Sequence, residues 1–254
     1  MNWLDKIILN KRGEVSRWKV EVPISKLSRY QSVRPDFTRA LRSRPVGLIA
    51  EVKRKSPSAG PIREPFNPVE VAQAYERGGA QALSVLMDRE FFGGGPEDFA
   101  AVRSAVSLPL LYKEFVVDEW QVHHAASLGA SAVLLIVAAL SRDELSLLMK
   151  AILDAGMKPL VEVHDEEEAR AAVDVGAEII GINNRNLKTF VTTLETTERV
   201  IKIIPDDRLV ISESGIRTAA DVSRLRAMGV HAILVGEHLL RKSDLESAVR
   251  DLMG

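Results

Sequence analysis

The amino-acid sequence predicts an α/β protein, a (β/α)8 TIM barrel with an N-terminal helical extension. Three observations carry that prediction. Eight short apolar runs recur at spacings of roughly 21 to 36 residues. Segments with helical spacing lie between them, several closed by a glycine. The apolar runs end repeatedly in charged or polar residues, which is where such a barrel carries its chemistry. An open doubly wound sheet is the alternative, but no G-x-G-x-x-G follows the first run.

The first forty-odd residues precede the barrel. Trp3, Leu4, Ile7 and Ile8 have amphipathic helical spacing, and Asp36 is placed to cap a second helix through Phe37, Ala40 and Leu41. Pro23 and Pro35 interrupt the segment. Residues 1–45 are too few for a domain, so they are expected as an extension packed on a barrel of residues 46–254, one domain overall. Whether the extension merely closes one end of the barrel or contributes to its site is left open at this level.

The first strand, Val46-Gly-Leu-Ile-Ala, runs without a turn residue into Glu51-Val-Lys-Arg-Lys-Ser56. A strand buried on both faces should read as continuously aliphatic, so Glu51 and Lys53 are out of place as core. Two apart in an extended chain, they project together. Lys-Arg-Lys before Ser-Pro also has the composition of a localisation signal or a solvated basic loop, but such signals do not usually sit on the end of an apolar strand. The second run, Ala82 to Met87, reaches Asp88 and then Phe91-Phe-Gly-Gly-Gly95, read as a flexible loop with an aromatic tip. The third, Leu108 to Tyr112, reaches Lys113-Glu114, and the fourth, Ala132 to Val137, is apolar to its end. The fifth, Lys158 to Val161, reaches Glu162 and His164; the sixth, Ile179 to Ile182, reaches Asn183, Asn184 and Arg185. The seventh and eighth end in Glu213-Ser-Gly215 and Gly236-Glu237. Helical segments run from Pro68 to Gly78, from Asp118 to Gly129, from a capping box at Ser141 and Glu144 to Gly156, from Glu166 to Gly176 and from Thr218 to Gly229. Each closing glycine is expected in the left-handed conformation.

Composition narrows the function. A chain of 254 residues fits one barrel, and 34 basic against 35 acidic residues leave a charge of −1. Neither nucleic acid nor an anionic membrane is an expected partner. No apolar stretch approaches the roughly 18 residues of a membrane span, and Met1-Asn-Trp-Leu-Asp-Lys lacks a secretory pattern. Zero cysteines exclude disulfides, thiolate zinc sites and a cysteine nucleophile. A cytoplasmic protein, monomeric or weakly self-associating, is the expectation. His123 and His124 are adjacent in a helix and expected at its surface, and His231 and His238 read as structural or exposed. His164 reads as a hydrogen-bond partner rather than a catalyst. No metal set and no cofactor are expected.

Five ionisable groups, Glu51, Lys53, Lys113, Glu162 and Glu213, stand at strand ends. Any one of them could be half of a structural ion pair; all five at one barrel mouth argue for chemistry. Two lysines among carboxylates offer an acid and a base, provided burial and neighbours bring their pKa values toward working pH. Glycines at the ends of strands seven and eight, in Ser212-Glu-Ser-Gly-Ile216 and Leu234-Val-Gly-Glu-His238, suggest a site for a phosphorylated small molecule, with Ser56 adding a hydroxyl. Glu237 would serve there through its amide, with its carboxylate turned aside.

Several stretches together resemble one family. Glu51-Val-Lys-Arg-Lys-Ser-Pro-Ser58, Phe92-Gly-Gly, Lys113-Glu-Phe115 and Leu160-Val-Glu-Val-His164 are similar to the indole-3-glycerol phosphate synthases. So are Gly181-Ile-Asn-Asn-Arg-Asn-Leu187, Ser212-Glu-Ser-Gly-Ile216, Leu234-Val-Gly-Glu-His-Leu-Leu240 and the Lys-Arg-x-Glu-Val stretch at Lys11. The resemblance runs essentially end to end. It implies a carboxy-lyase that closes the ring of 1-(2-carboxyphenylamino)-1-deoxyribulose 5-phosphate, releasing carbon dioxide and water to give indole-3-glycerol phosphate in tryptophan biosynthesis. By the same resemblance, Lys113 is the general acid, Glu162 the general base, and Lys53 with Glu51 a second acid–base pair. Asn183 holds reacting hydroxyls, Arg185 lies near the ring and carboxylate, and Glu213 and Ser214 line the site. Ser56, Gly215, Gly236 and the Glu237 amide clamp phosphate, while Phe92, Phe115, Leu134 and Leu187 form an apolar wall. Asn186 stands where an acid is frequent and Glu114 where aspartate is common; neither is expected to touch the chemistry. The rival phosphoribosylanthranilate isomerase pattern needs a Cys/Asp pair, which a cysteine-free chain lacks. A barrel that only binds a phosphorylated ligand would be expected to lose Lys113 or Glu162.

Overall fold

The structure is a computed structural model that describes residues 3–57, 59–186 and 189–254. Eight parallel strands form a closed barrel: β1 (Gly47–Val52), β2 (Ala82–Leu86), β3 (Leu110–Lys113), β4 (Ala132–Ile136), β5 (Lys158–Val163), β6 (Ile179–Asn183), β7 (Leu209–Glu213) and β8 (Ala232–Val235). β1 closes the ring by pairing with β2 on one side, Ile49 opposite Ala82, and with β8 on the other, Gly47 opposite Ala232. All eight predicted strands are present. They read as aliphatic because both faces are covered, one by helices and one by the barrel's own filling.

The period of two divides each strand between these layers. Ile49, Leu111, Leu134, Leu160, Ile211 and Leu234 fill the barrel, all buried. Their neighbours Leu48, Leu110, Val133, Val161, Val210 and Ile233 face the helical ring. The short helix Phe37–Leu41 plugs the barrel floor, since Phe37 and Leu41 belong to the interior cluster. Asp36 caps it as expected, its carboxylate accepting from the Arg39 amide. Gly47 makes this plug possible, because a Cβ there would fall 2.6 Å from the Leu41 carbonyl oxygen.

The N-terminal helix Trp3–Glu21 (α1) buries Leu4, Ile7, Lys11 and Val15 against the barrel. Its far end is stapled by rings: Trp18 lies 5.6 Å from Trp120, and Trp120 donates its indole N–H to the Val22 carbonyl at 2.7 Å. The capping box at Ser141 and Glu144 is present, and Gly129, Gly156, Gly176 and Gly229 take positive φ.

Three expectations change. Gly78 is the last residue of its helix, packed where a Cβ would meet Val249 at 2.8 Å, and Gly79 takes the left-handed turn at φ +98°. Phe91 and Phe92 are not in a flexible loop but in a helical turn, Arg89–Phe92, capped by the Asp88 carboxylate. His124 is not on the surface like exposed His123. It stacks 4.9 Å from Trp120 with Nδ1 3.1 Å from the Tyr112 hydroxyl, and burial lowers its pKa to about 4.

Candidate active site

At the C-terminal ends of the strands, above the interior aliphatic layer, lies a cavity of about 720 Å³. Every expected site residue that the structure describes lines it: Glu51, Lys53 and Ser56 from β1 and its loop, Phe92 after β2, Lys113 and Phe115 from β3, Leu134 from β4 and Glu162 from β5. Asn183 and Arg185 come from β6, Glu213, Ser214 and Gly215 from β7, and Gly236 and Glu237 from β8. Leu187 lies outside the described residues.

Lys113 is the hub of the charged floor. Its Nζ lies 2.7 Å from Glu162 Oε2 and 3.1 Å from Glu213 Oε2. Burial works to lower its pKa, but Glu162, Glu213 and Glu51 outweigh burial and raise it. That departs from the requirement that its pKa move toward working pH: the carboxylates hold Lys113 as an ammonium. Burial works to raise Glu162, yet Lys113 and His164 hold its pKa below the ordinary carboxylate value. Glu213 goes the other way, because burial and the charge of Glu162 exceed what Lys113 returns. Two carboxylates against one lysine thus settle with their affinities for a proton apart. Beside them Lys53 donates to Glu51 Oε1 at 2.5 Å, and Asn183 donates to Glu162 Oε1 at 3.2 Å. His164 stands behind Glu162 with Nε2 3.2 Å from Oε1, an ion-pair contact rather than the hydrogen bond expected of it.

Two glycines are there for room. Gly181, inside β6, faces Glu213, and a Cβ would fall 2.4 Å from its Oε1. Gly236 likewise leaves space for Glu51, whose Oε1 would be 2.6 Å from a Cβ. On this side Ser214 and Gly215 both take positive φ, at 66° and 82°. The Glu237 carboxylate is engaged by Arg241, which donates to Oε1 at 3.0 and 2.8 Å. Arg217, His238 and Arg241 also line the cavity; His238 had read as structural or exposed, and no motif marked the two arginines.

The apolar wall joins Phe92 and Phe115, with ring centres 6.1 Å apart, to Leu134. Trp3, Leu4 and Ile7 of α1 complete it, so the extension contributes to the cavity rather than only closing an end. Their helical spacing was the available signal; where the helix would dock was not. Phe190, with φ 59°, adds a ring from the loop after β6. Glu114, not expected to touch the chemistry, is among the residues of the cavity wall.

A (β/α)8 barrel with paired lysines and carboxylates at its strand ends, beside an aromatic wall, is an acid–base enzyme by class. The chain belongs to the indole-3-glycerol phosphate synthase family, whose model matches residues 4–252. A relative named indole-3-glycerol phosphate synthase from Roseiflexus sp. (strain RS-1) is 46% identical over 263 residues, covering 99% of this chain and 98% of that one. The chloroplastic indole-3-glycerol phosphate synthase of Arabidopsis thaliana is 44% identical, covering 100% of this chain and 67% of its own length. Among solved structures, a thiamine phosphate pyrophosphorylase from Pyrococcus furiosus superposes with a TM-score of 0.61 at 17% identity, covering 82% of this chain and 94% of that one. That likeness shows the fold alone.

Proposed function

We propose that this chain is a carboxy-lyase that converts 1-(2-carboxyphenylamino)-1-deoxyribulose 5-phosphate to indole-3-glycerol phosphate in tryptophan biosynthesis. The observation that carries the reading is the Lys113 ammonium held between Glu162 and Glu213 on the cavity floor, in a chain of this family. As the ring carbon bearing the carboxylate attacks the ketone carbon, the ketone oxygen needs a proton, and Lys113 supplies it. Loss of carbon dioxide leaves its electron pair with the ring. Loss of the new hydroxyl as water, with a proton delivered to it by one of the two lysine ammonium groups and a proton of the closing ring taken by a carboxylate, then makes the indole double bond. Glu162 is the base for that proton, and Lys53 with Glu51 steadies the departing carboxylate. Glu213 shares the charged floor with Lys113.

Asn183 holds the reacting hydroxyls, and Arg185 lies near the carboxylate of the ring. Phe92, Phe115, Leu134 and Leu187 make the wall for the ring, joined by Trp3, Leu4 and Ile7. Ser214 lines the site, and Ser56, Gly215, Gly236 and the Glu237 amide take the phosphate, supported by the place of both glycines at the ends of β7 and β8 on the cavity wall. The reaction needs no metal and no cofactor. Among the described residues no cluster is placed to hold a metal ion, and no helix is long and apolar enough to cross a membrane. Residues 1–45 act as part of a single catalytic domain with the barrel, in a cytoplasmic monomer or weak homo-oligomer.

The test is turnover of the carboxyphenylamino-deoxyribulose phosphate, followed by indole fluorescence. Product should accumulate, chelators should leave the rate unchanged, and inorganic phosphate should compete. Folded protein that binds the substrate without forming product would overturn the reading.

A further inference from the structure

Behind Glu162, outside the cavity lining, His164 is held between two carboxylates. Its Nδ1 lies 3.0 Å from Glu168 Oε2, the same oxygen that accepts the His164 backbone N–H at 2.8 Å. Its Nε2 lies 3.2 Å from Glu162 Oε1. The side chains of His164 and Glu162 are only 9% and 3% exposed, so water does little to screen either contact. A neutral imidazole has one N–H and one bare lone pair. Only Nδ1 meets its carboxylate in hydrogen-bond geometry; Nε2 meets Glu162 as an ion-pair contact. A neutral ring would leave one of the two nitrogens as a bare lone pair beside a carboxylate, whereas the doubly protonated ring is attracted to both, by a hydrogen bond at Nδ1 and by charge at Nε2.

The rest of the surroundings agrees. Glu162 closes β5, while Glu168 lies in the first turn of the helix Glu166–Asp174 that follows it. Asn183 from β6 shares Glu162 Oε1, leaving Oε2 to Lys113 from β3. Burial works to lower the His164 pKa, but Glu162 and Glu168 raise it to about 10.

We propose that His164 is a positioning residue in its imidazolium form: Glu168 orients it, and it holds Oε1 of Glu162 so that Oε2 stays on Lys113. The role assigned to Glu162 rests on the proposed function, whereas the charge and orientation of His164 do not. Removing the imidazolium frees Glu162 to turn, so proton transfer suffers while ring and phosphate contacts remain.

Two measurements test this. In 1H–15N spectra of the full chain, both His164 nitrogens should show imidazolium shifts at pH 7, and the ring should lose its proton at lower pH in Glu168→Gln. In kinetics, His164→Gln should lower kcat by about 10–100-fold, the usual effect of removing a group that orients a functional residue, with KM nearly unchanged. Glu168→Gln should bring the alkaline fall of kcat to lower pH. A singly protonated His164 at pH 7, or an unmoved titration in Glu168→Gln, would overturn the proposal even if His164→Gln fails to fold. A folded His164→Gln with the kcat of the parent would do the same. If the parent itself forms no indole product, the proposed function falls, and the spectra still decide how His164 is held.

Discussion

Lys113 is surrounded in a way that decides what it can do. Three carboxylates keep it protonated despite burial, so it enters the reaction carrying its proton and regains one readily afterwards. Lys113→Ala should therefore lower kcat by about a hundred- to ten-thousand-fold, the worth of a positioned acid, with a much smaller change in KM. Lys113→Arg should not rescue, because a guanidinium does not give up its proton and presents a planar fork where lysine presents a compact ammonium. Single-turnover fluorescence on both variants checks this, and near-parental turnover by Lys113→Ala would pass the acid role to Lys53. The residue itself was legible in the sequence, since a lysine ending an apolar strand has no place in a core. Its protonation was not, because the carboxylates that set it come from other strands: Glu162 and Glu213 lie 49 and 100 residues further on, and Glu51 is on β1. Gly181 was equally unreadable as part of the site: in Ile179-Ile-Gly-Ile it looks like one more strand residue, and its reason is the Glu213 carboxylate on the neighbouring strand.

Helix α1 shows the same limit one level up. Its apolar spacing predicts a helix, but what fastens it is Lys11, which is 1% exposed. The ammonium lies 2.7 Å from Glu14, 2.9 Å from Asp88 and 3.0 Å from Glu114. Asp88 caps the turn that presents Phe92, and Glu114 accepts from the Phe115 amide. One lysine thereby ties the extension to the carriers of both wall phenylalanines. Burial acts to lower the Lys11 pKa and the carboxylates reverse that, while Glu114, buried beside Asp88, is pushed up to about 7. A single positive charge facing three carboxylates leaves one of them inclined to keep a proton. Lys11→Met should cost about 3–5 kcal/mol in denaturant unfolding, because it strands buried carboxylates. It should also raise KM as the wall shifts. Lys11→Met with Glu114→Gln should recover part of the stability, and no recovery would mean that Glu114 is not among the stranded charges.

The barrel as a whole was legible because its pattern repeats at every strand, so one misread segment could not hide it. What escaped was how single side chains pack. His124 followed His123 in an ordinary helical segment, but Trp120, one turn earlier on the same helix, stacks on it and Tyr112 of β3 meets its edge. That burial links global stability to pH. The folded protein holds His124 neutral down to about pH 4, whereas the unfolded chain takes up a proton near 6.5. Stability from this group is complete above pH 6.5 and is lost as pH falls toward 4, on the order of 3 kcal/mol at the limit. Melting curves should show His124→Phe losing less stability than the parent across that window; parallel losses would show the imidazole is not the sensor. The closure of the ring has another consequence. β1 and β8 are bonded neighbours, and Glu51 sits in the space that Gly236 leaves. A ribosome therefore releases Lys53, Lys113 and Glu162 long before they have a working place to occupy. Until the last strand emerges, the nascent chain carries an open edge on β1 and half a phosphate clamp, so activity during synthesis arrives in a single late step.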